Sequence, residues 1–163
     1  MTAAAAGLDG LVVAQTQLSS VNGTEGILTY RGYNINDLAE KVQFEEIIYL
    51  LWYGSLPTRS QLDDLTSKSR KHRQISDDVA NTIAALPRGG APIDSLKVGV
   101  TALGMQDENQ DDLSQEGLRE KALGLAAAMP TILASYQRLR NGQEPIAPSS
   151  DLGIAANFLY MLR

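Results

Sequence analysis

The first candidate for acid–base chemistry is a histidine. His72 is the only histidine among the 163 residues, and it lies in a basic run with Lys68, Arg70, Lys71 and Arg73. An imidazole titrates near neutral pH, so this run could move a proton or bind an anion. Alternatively, the run is the solvent-exposed C-terminal turn of a helix, where cations interact favourably with the helix dipole. We favour that interpretation. The chain has no cysteine, which excludes disulfides, thiolate metal sites and a cysteine nucleophile.

Neighbouring carboxylates are the second group that could do chemistry. They occur at Asp63-Asp64, at Asp77-Asp78 and in an acidic loop that runs from Gln106 to Asp112. Paired carboxylates can exchange protons with a substrate or hold a cation. Adjacent side chains on a helix point apart, however, and the loop lacks the D-x-[DN]-x-[DN]-G order of a calcium site. We therefore predict that all three are solvated surface.

Two glycine-containing strings and one aromatic string complete the candidates. Gly23-Thr24-Glu25-Gly26 and Arg88-Gly89-Gly90-Ala91 match neither common phosphate-loop pattern, so both are expected to be turns. In Tyr30-Arg31-Gly32-Tyr33, a guanidinium between two rings could bind an anion or a planar ligand. We favour a structural role in which Arg31 pairs with a carboxylate on the following helix and Gly32 turns the chain. No residue is predicted to be catalytic, to bind a cofactor or to hold a metal ion.

The elements that would position these side chains fall into two parts. Residues 1–33 are an N-terminal extension with strand character between residues 8 and 30, and Asn22-Gly23 favours a hairpin turn. The predicted strand residues are Leu11, Val12, Val13, Gln15, Gln17 and Leu18 before the turn and Ile27, Leu28 and Tyr30 after it. Residues 34–163 have helical spacing, which predicts one mainly helical domain.

Helix ends in the second part are marked by capping residues. Residues suited to helix starts are Asn34, Thr58 with Gln61, Ser76, Pro92 and Ser114,. Gly54 and Gly142 suit helix ends, where a left-handed residue is favoured. The apolar positions from Phe44 to Trp52 are expected to be core. A long helix from Ser114 to Asn141 is expected to bend at Pro130, and a last apolar element runs from Asp151 to Leu162.

The composition narrows the classes of partner. The chain has 14 basic and 19 acidic residues and a net charge of −5, so its field repels phosphate backbones and nucleic acid is not an expected partner. The longest uncharged stretch, Ala122 to Gln137, is shorter than a membrane span. Met1 to Gly10 lacks the features of an export signal. We expect a cytoplasmic protein that does not bind membranes.

Nearly the whole chain is covered by a series of short sequence strings that follow one another in a characteristic order. They are Gly7-Leu8-Asp9-Gly10, Asn22-Gly23-Thr24-Glu25-Gly26-Ile27-Leu28, Tyr30-Arg31-Gly32-Tyr33-Asn34-Ile35, Leu38-Ala39-Glu40, Phe44-Glu45-Glu46, Leu50-Leu51, Gly54-Ser55-Leu56-Pro57-Thr58, Pro92-Ile93, Leu103-Gly104 and Ala155-Ala156-Asn157-Phe158-Leu159-Tyr160-Met161. In this order they resemble the N-terminal part of the large domain of the citrate synthase family. The fold implied is mainly α and multi-helical, with a small N-terminal β-hairpin.

The resemblance implies a homodimeric enzyme of the tricarboxylic acid cycle that condenses acetyl-CoA with oxaloacetate to citrate and CoA. In the family, one histidine and one aspartate enolise the thioester methyl, a second histidine assists at the oxaloacetate carbonyl, and arginines hold the dicarboxylate. These residues belong to the part of the family pattern that follows Met161, so none is carried over here. We therefore expect a truncated segment that binds no cofactor and is inactive alone.

Two strings depart from the family pattern. Ala91-Pro92-Ile93 stands where His-Pro-Met is common, and Leu96-Lys97-Val98 where Leu-Arg-Thr is common. Lysine keeps a charge without the two-pronged geometry of arginine, and alanine keeps neither the ring nor its hydrogen bonds. We interpret both as relaxed structural positions.

Self-association and two other functions stay open at this point. The long helix resembles one that the family uses at its dimer interface, and its apolar stripe predicts a homodimer or self-association. The stripe comprises Ala122, Leu125, Ala126, Met129, Ile132 and Leu133. One alternative is a stand-alone helical scaffold, interaction module or remnant that keeps the family packing. The other is a 2-methylcitrate synthase or citryl-CoA-cleaving relative, because acyl preference is set mainly outside this segment.

Overall fold

The computed structural model describes residue 12 and residues 14–163. In that part of the chain, seven helices follow a three-stranded antiparallel sheet. The strands are β1 (Ser19–Asn22), β2 (Ile27–Tyr30) and β3 (Tyr33–Asn34). The helices are α1 (Ile35–Leu38), α2 (Phe44–Tyr53), α3 (Arg59–Lys71), α4 (Asp77–Ala84), α5 (Pro92–Met105), α6 (Gln115–Arg140) and α7 (Ile154–Met161). The mainly helical class with a small N-terminal hairpin is therefore confirmed.

The N-terminal hairpin forms where the turn was predicted, but its first strand lies later in the chain. Asn22 pairs with Ile27 across the turn, and Gly26 takes a left-handed φ of 67°. β1 begins only at Ser19, because Ser19 pairs with Tyr30, the last residue of β2. The predicted strand residues Leu11 and Val13 lie outside the described residues. The short strand β3, which pairs with β2, was not predicted.

Side-chain caps start four of the helices at the predicted residues. The side chains of Asn34, Thr58, Ser76 and Ser114 each accept a hydrogen bond from a backbone N–H in the first turn. Each bond satisfies a donor that the helix itself leaves free. At the other end, Gly54 has a φ of 86° after α2, a conformation that side chains with a Cβ rarely adopt,.

Helix α6 is central because it packs against both clusters of buried apolar residues. One cluster joins α4 to α6 through Val79, Ile83, Ile132 and Tyr136. The other joins α2, α3 and α7 to α6 and comprises Ile48, Leu65, Leu123 and Ile154. Pro130 lies within α6, which runs as a single helix on both sides of it. No helix within residues 14–163 has the length and hydropathy needed to cross a bilayer.

Candidate functional site

His72 lies at the C-terminal cap of α3, as the helix-end interpretation predicts. Its Nε2 atom is 2.8 Å from Oε1 of Glu120 on α6. Gly124, one turn further along α6, lies beside the ring, and a Cβ there would make an ordinary van der Waals contact with Nδ1 at 3.7 Å. The imidazole therefore links the end of α3 to α6. It also lines a cavity of about 420 Å³ whose walls include Lys71, Asp107 and Leu125.

Arg73 departs from the solvated role predicted for the basic run. Its side chain is 2% exposed, and Nη1 donates hydrogen bonds to the carbonyls of Ser149 at 3.1 Å and Leu152 at 2.6 Å. Its own carbonyl accepts a bond from the hydroxyl of Thr131 at 2.7 Å. Burial lowers the pKa of the guanidinium from its ordinary value, because desolvation disfavours the charged form. The end of α3 turns inward here, and this charge holds the segment before α7.

Glu45 is the buried carboxylate beside Arg73. Its Oε1 atom lies 3.9 Å from Nη2 of Arg73 and accepts a hydrogen bond of 2.7 Å from the backbone N–H of Ile154. A carboxylate at a helix N-terminus satisfies a free donor and interacts favourably with the dipole. This contact fixes the start of α7 at Ile154, three residues later than predicted. The Glu45–Arg73 pair thus connects α2, the end of α3 and α7.

This pair is not predicted by any motif in the sequence, although the spacing contains one signal for Glu45. Glu45 stands three residues before the buried Ile48 and seven before Trp52, so it occupies the buried face of α2,. Phe44, which was assigned to that face, is instead 52% exposed. For Arg73 the surrounding basic run gave no such signal, because its partners are carbonyls more than 75 residues away.

Arg31 makes a structural contact, but its partner is not the predicted carboxylate. It has a left-handed φ of 48°, and its guanidinium donates to the carbonyl of Leu51 from Nε at 3.0 Å and from Nη2 at 2.6 Å. Leu51 belongs to the last turn of α2, where carbonyls lack partners within the helix and the dipole favours a cation. Arg31 therefore ties the hairpin to the C-terminal end of α2.

The acidic pairs and the second glycine string take structural positions. Asp63 and Asp64 form exposed ion pairs with Arg59 and Lys68 on the same helix. Asp77 and Asp78 lie in the first turn of α4. Gly89 and Gly90 form a turn beneath Tyr136, whose hydroxyl donates to the carbonyls of Pro87 and Gly90. Among the described residues, no group of three or more acidic or histidine side chains is placed to hold a metal ion.

A groove of about 370 Å³ lined by apolar residues lies between α2, α5, α6 and α7. We call it the apolar groove, and its lining residues are Phe44, Leu96, Ala126, Met129, Pro130, Leu133, Ile154, Ala155 and Phe158. Three residues of the predicted stripe line it, namely Ala126, Met129 and Leu133. Ile132 instead belongs to the core, and Leu125 lines the cavity beside His72. An apolar lining of this kind suits packing against another protein surface.

Comparisons with known proteins agree on one family. The family model described as "Citrate synthase, C-terminal domain" matches residues 7–163. The chain is 41% identical to a citrate synthase from Haloferax volcanii and 40% identical to a 2-methylcitrate synthase from Mycobacterium tuberculosis, with alignments that cover 96% and 95% of this chain. It superimposes on a crystal structure of citrate synthase from Pyrobaculum aerophilum with a TM-score of 0.88, at 36% identity over 96% of this chain.

The alignments also fix how much of each relative this chain spans. It covers 42% of the Haloferax volcanii protein, 39% of the Mycobacterium tuberculosis protein and 41% of the Pyrobaculum aerophilum chain. The chain therefore spans about two fifths of the length of the relatives that it matches.

Proposed function

The chain belongs to the citrate synthase family, and from that premise we propose that it is the N-terminal segment of the large domain of a citrate synthase. The activity proposed for the whole protein is condensation of acetyl-CoA with oxaloacetate to give citrate and CoA. The observation that carries the proposal is the match over residues 7–163, with 41% identity to a citrate synthase across 96% of the chain.

In this proposal the segment supplies the helical frame and no reacting group. The one imidazole, His72, is engaged with Glu120 at the junction of α3 and α6. The buried guanidinium of Arg73 is engaged with two carbonyls and lies near Glu45. The groups that enolise acetyl-CoA and hold oxaloacetate then belong to the rest of the family chain, and these residues keep the frame rigid.

We further propose that the apolar groove is covered by a second copy of the chain. Phe44 is 52% exposed at one end of the groove and Leu159, on α7 next to the groove residue Phe158, is 67% exposed. Large apolar side chains grouped in this way lose water contact favourably when a partner covers them. The resemblance of α6 to a family interface helix supports a second copy as that partner.

A segment exchange tests the enzymatic proposal directly. The part of the Pyrobaculum aerophilum citrate synthase that superimposes on this chain is replaced by residues 7–163, and thiol release is followed with acetyl-CoA and oxaloacetate. We expect the chimera to release CoA only when both substrates are present. A version of that enzyme without the exchanged segment serves as the inactive control. A folded chimera without thiol release would contradict the proposal.

The 163-residue chain alone provides the complementary measurement. We expect no release of CoA from it, because it contributes no acid–base residue to the reaction. Sustained turnover by this chain would show that its own side chains perform the chemistry. The chimera also distinguishes an enzyme segment from a stand-alone scaffold, because a scaffold that no longer functions as part of the enzyme would not restore activity.

A second candidate activity is 2-methylcitrate synthesis. It is favoured by the 40% identity to the Mycobacterium tuberculosis 2-methylcitrate synthase, which nearly equals the 41% identity to the Haloferax volcanii citrate synthase. The two differ in the acyl chain that the enzyme must accept. Comparing acetyl-CoA with propionyl-CoA as substrates for the whole protein decides between them.

A further inference from the structure

The connection between α5 and α6 is folded around the ammonium group of Lys121. Residues 106–114 form this connection, and Lys121 lies in the second turn of α6. Its Nζ atom donates to the carbonyls of Asn109 at 2.5 Å, Gln110 at 3.0 Å and Asp112 at 3.0 Å. The Asp107 carboxylate lies 3.6 Å from the same nitrogen. Every hydrogen of the ammonium therefore has a carbonyl acceptor.

These contacts show that the acidic loop is not simply a solvated surface, as the sequence predicts, but is folded around a cation. The connection contains Asp107, Glu108, Asp111 and Asp112, and like charges held this close repel one another. The Lys121 ammonium inside the loop reduces that repulsion. It also donates hydrogen bonds to the carbonyls that point toward it. The side chains of Lys121 and Asp107 are 25% and 30% exposed, so this ion pair is shielded more than the exposed pairs on α3.

We propose that Lys121 locks the α5–α6 connection, which keeps its folded form only while a primary ammonium group occupies the site made by the carbonyls of Asn109, Gln110 and Asp112. An ammonium carries three donors in a tripod that matches three carbonyl acceptors around one point. A guanidinium is planar, and its fixed fork spreads its donors away from a single point. Arginine is therefore a poor replacement for Lys121 even though it preserves the charge.

The lock has a consequence for the cavity beside His72. Asp107 and Lys121 line the same wall of that cavity, and Lys71 and His72 lie in the wall formed by the end of α3. Release of the ammonium frees the connection that carries Asp107. Lys121 thus holds Asp107 in this wall of the cavity.

Local hydrogen bonds within the loop are the competing explanation for its order. Oδ1 of Asp107 accepts from the N–H of Asn109, and Oδ1 of Asp112 accepts from the N–H of Ser114, each at 2.9 Å. Both bonds form without Lys121. If they suffice, removal of the ammonium leaves the loop unchanged, and this difference makes the proposal testable.

The experiment is amide hydrogen exchange on the Lys121→Met variant. We expect exchange in residues 107–114 to become at least about tenfold faster, because bonds to a charged donor are worth more than neutral ones. Exchange within α4 should stay at the parent rate. Lys97→Met is the matched control, since Lys97 forms an exposed ion pair with Asp94, and it should leave the loop unaffected. Parent-like exchange of residues 107–114 in Lys121→Met overturns the proposal.

Chemical rescue provides the second measurement. Propylammonium chloride should restore slow exchange in Lys121→Ala, whereas tetramethylammonium chloride at equal ionic strength should not, because it has no N–H donor. Failure of propylammonium to slow exchange also contradicts the lock. If the methionine variant unfolds as a whole, Lys121→Arg decides the question. Faster exchange confined to residues 107–114 supports the proposal, and parent-like exchange overturns it.

Discussion

The contact between Glu45 and Arg73 joins parts of the fold that are far apart in sequence. Glu45 is 3% exposed and Arg73 is 2% exposed, so neither charge is hydrated in the folded chain. Nε and Nη2 of Arg73 lack a hydrogen-bond partner among the described residues, which leaves the Glu45 carboxylate as the nearest compensation for this charge. A buried charge whose partner is removed is strongly destabilising, although an intact pair is itself only weak evidence of stability.

Substitution of Glu45 should therefore have a large effect on folding. Glu45→Ala leaves a buried guanidinium without a counter-charge and frees the N–H of Ile154, so we expect the free energy of unfolding to fall by about 3–5 kcal/mol. Urea denaturation followed by circular dichroism measures this change. Glu108→Ala removes an exposed carboxylate and should change stability by less than about 0.5 kcal/mol. Equal effects of the two substitutions would show that the buried pair is not required.

Asp112 should make stability depend on pH in the acid range. Hydrogen bonds from the backbone N–H and the side chain of Ser114 lower the pKa of Asp112 from its ordinary value. Because the folded pKa is lowered, its stabilisation is present above the ordinary carboxyl range near pH 4 and is lost as pH falls through the folded pKa. Thermal midpoints between pH 5 and pH 2.5 should fall less steeply in Asp112→Asn than in the parent. Identical slopes would contradict this assignment.

At the scale of the helices, Gly99 of α5 packs directly against Ile132 of α6. A Cβ at this position would lie 2.7 Å from Cγ2 and 2.9 Å from Cδ1 of Ile132, both closer than real Cβ contacts allow. Ile132 belongs to the core cluster with Val79 and Ile83, so it has little freedom to move away. A glycine in the middle of α5 is thus required by packing, although it weakens the helix intrinsically.

Two alanine substitutions on α5 separate packing from helix propensity. Gly99→Ala should destabilise the fold by about 1–3 kcal/mol, since overpacking outweighs the better propensity of alanine. Gly104→Ala lies on the same helix with nothing within 4 Å of the added Cβ, and should stabilise the fold by up to about 1 kcal/mol. Thermal unfolding of both variants gives the comparison. A stabilising Gly99→Ala would mean that the two helices can separate without cost.

Local signals predicted the element boundaries well, and long-range contacts explain the exceptions. Asn34, Thr58 and Ser114 act on backbone groups within three residues, so the sequence alone identifies them as caps. The start of α7 depends on Glu45, which is 109 residues away from Ile154. The conformation of the acidic loop likewise depends on a residue outside it, namely Lys121 in the following helix. Spacing places Glu45 on the buried face of α2 but does not identify its partner, and no motif marks Lys121.

At the scale of the whole molecule, the apolar groove is an apolar surface that the helices leave uncovered. Met129 and Leu133 of α6 line this groove, and Ile154 belongs both to the groove and to a core cluster. The chain carries a net charge of −5, which opposes association in general. Association through the groove must therefore gain more from apolar contact than it loses to this repulsion.

The self-association proposed for the groove can be tested with one pair of charge substitutions. In a two-fold symmetric interface each substitution appears twice, so Phe44→Glu would bury two carboxylates and should weaken association by at least about tenfold. A glutamate at the first position of α2 is compatible with the helix dipole, so the fold should persist. Val21→Glu adds the same charge on the hairpin, where Val21 is 75% exposed, and should leave association unchanged. Light scattering over a wide concentration range measures both. A parent chain that stays monomeric, or equal weakening by the two substitutions, would show that the groove does not join two copies.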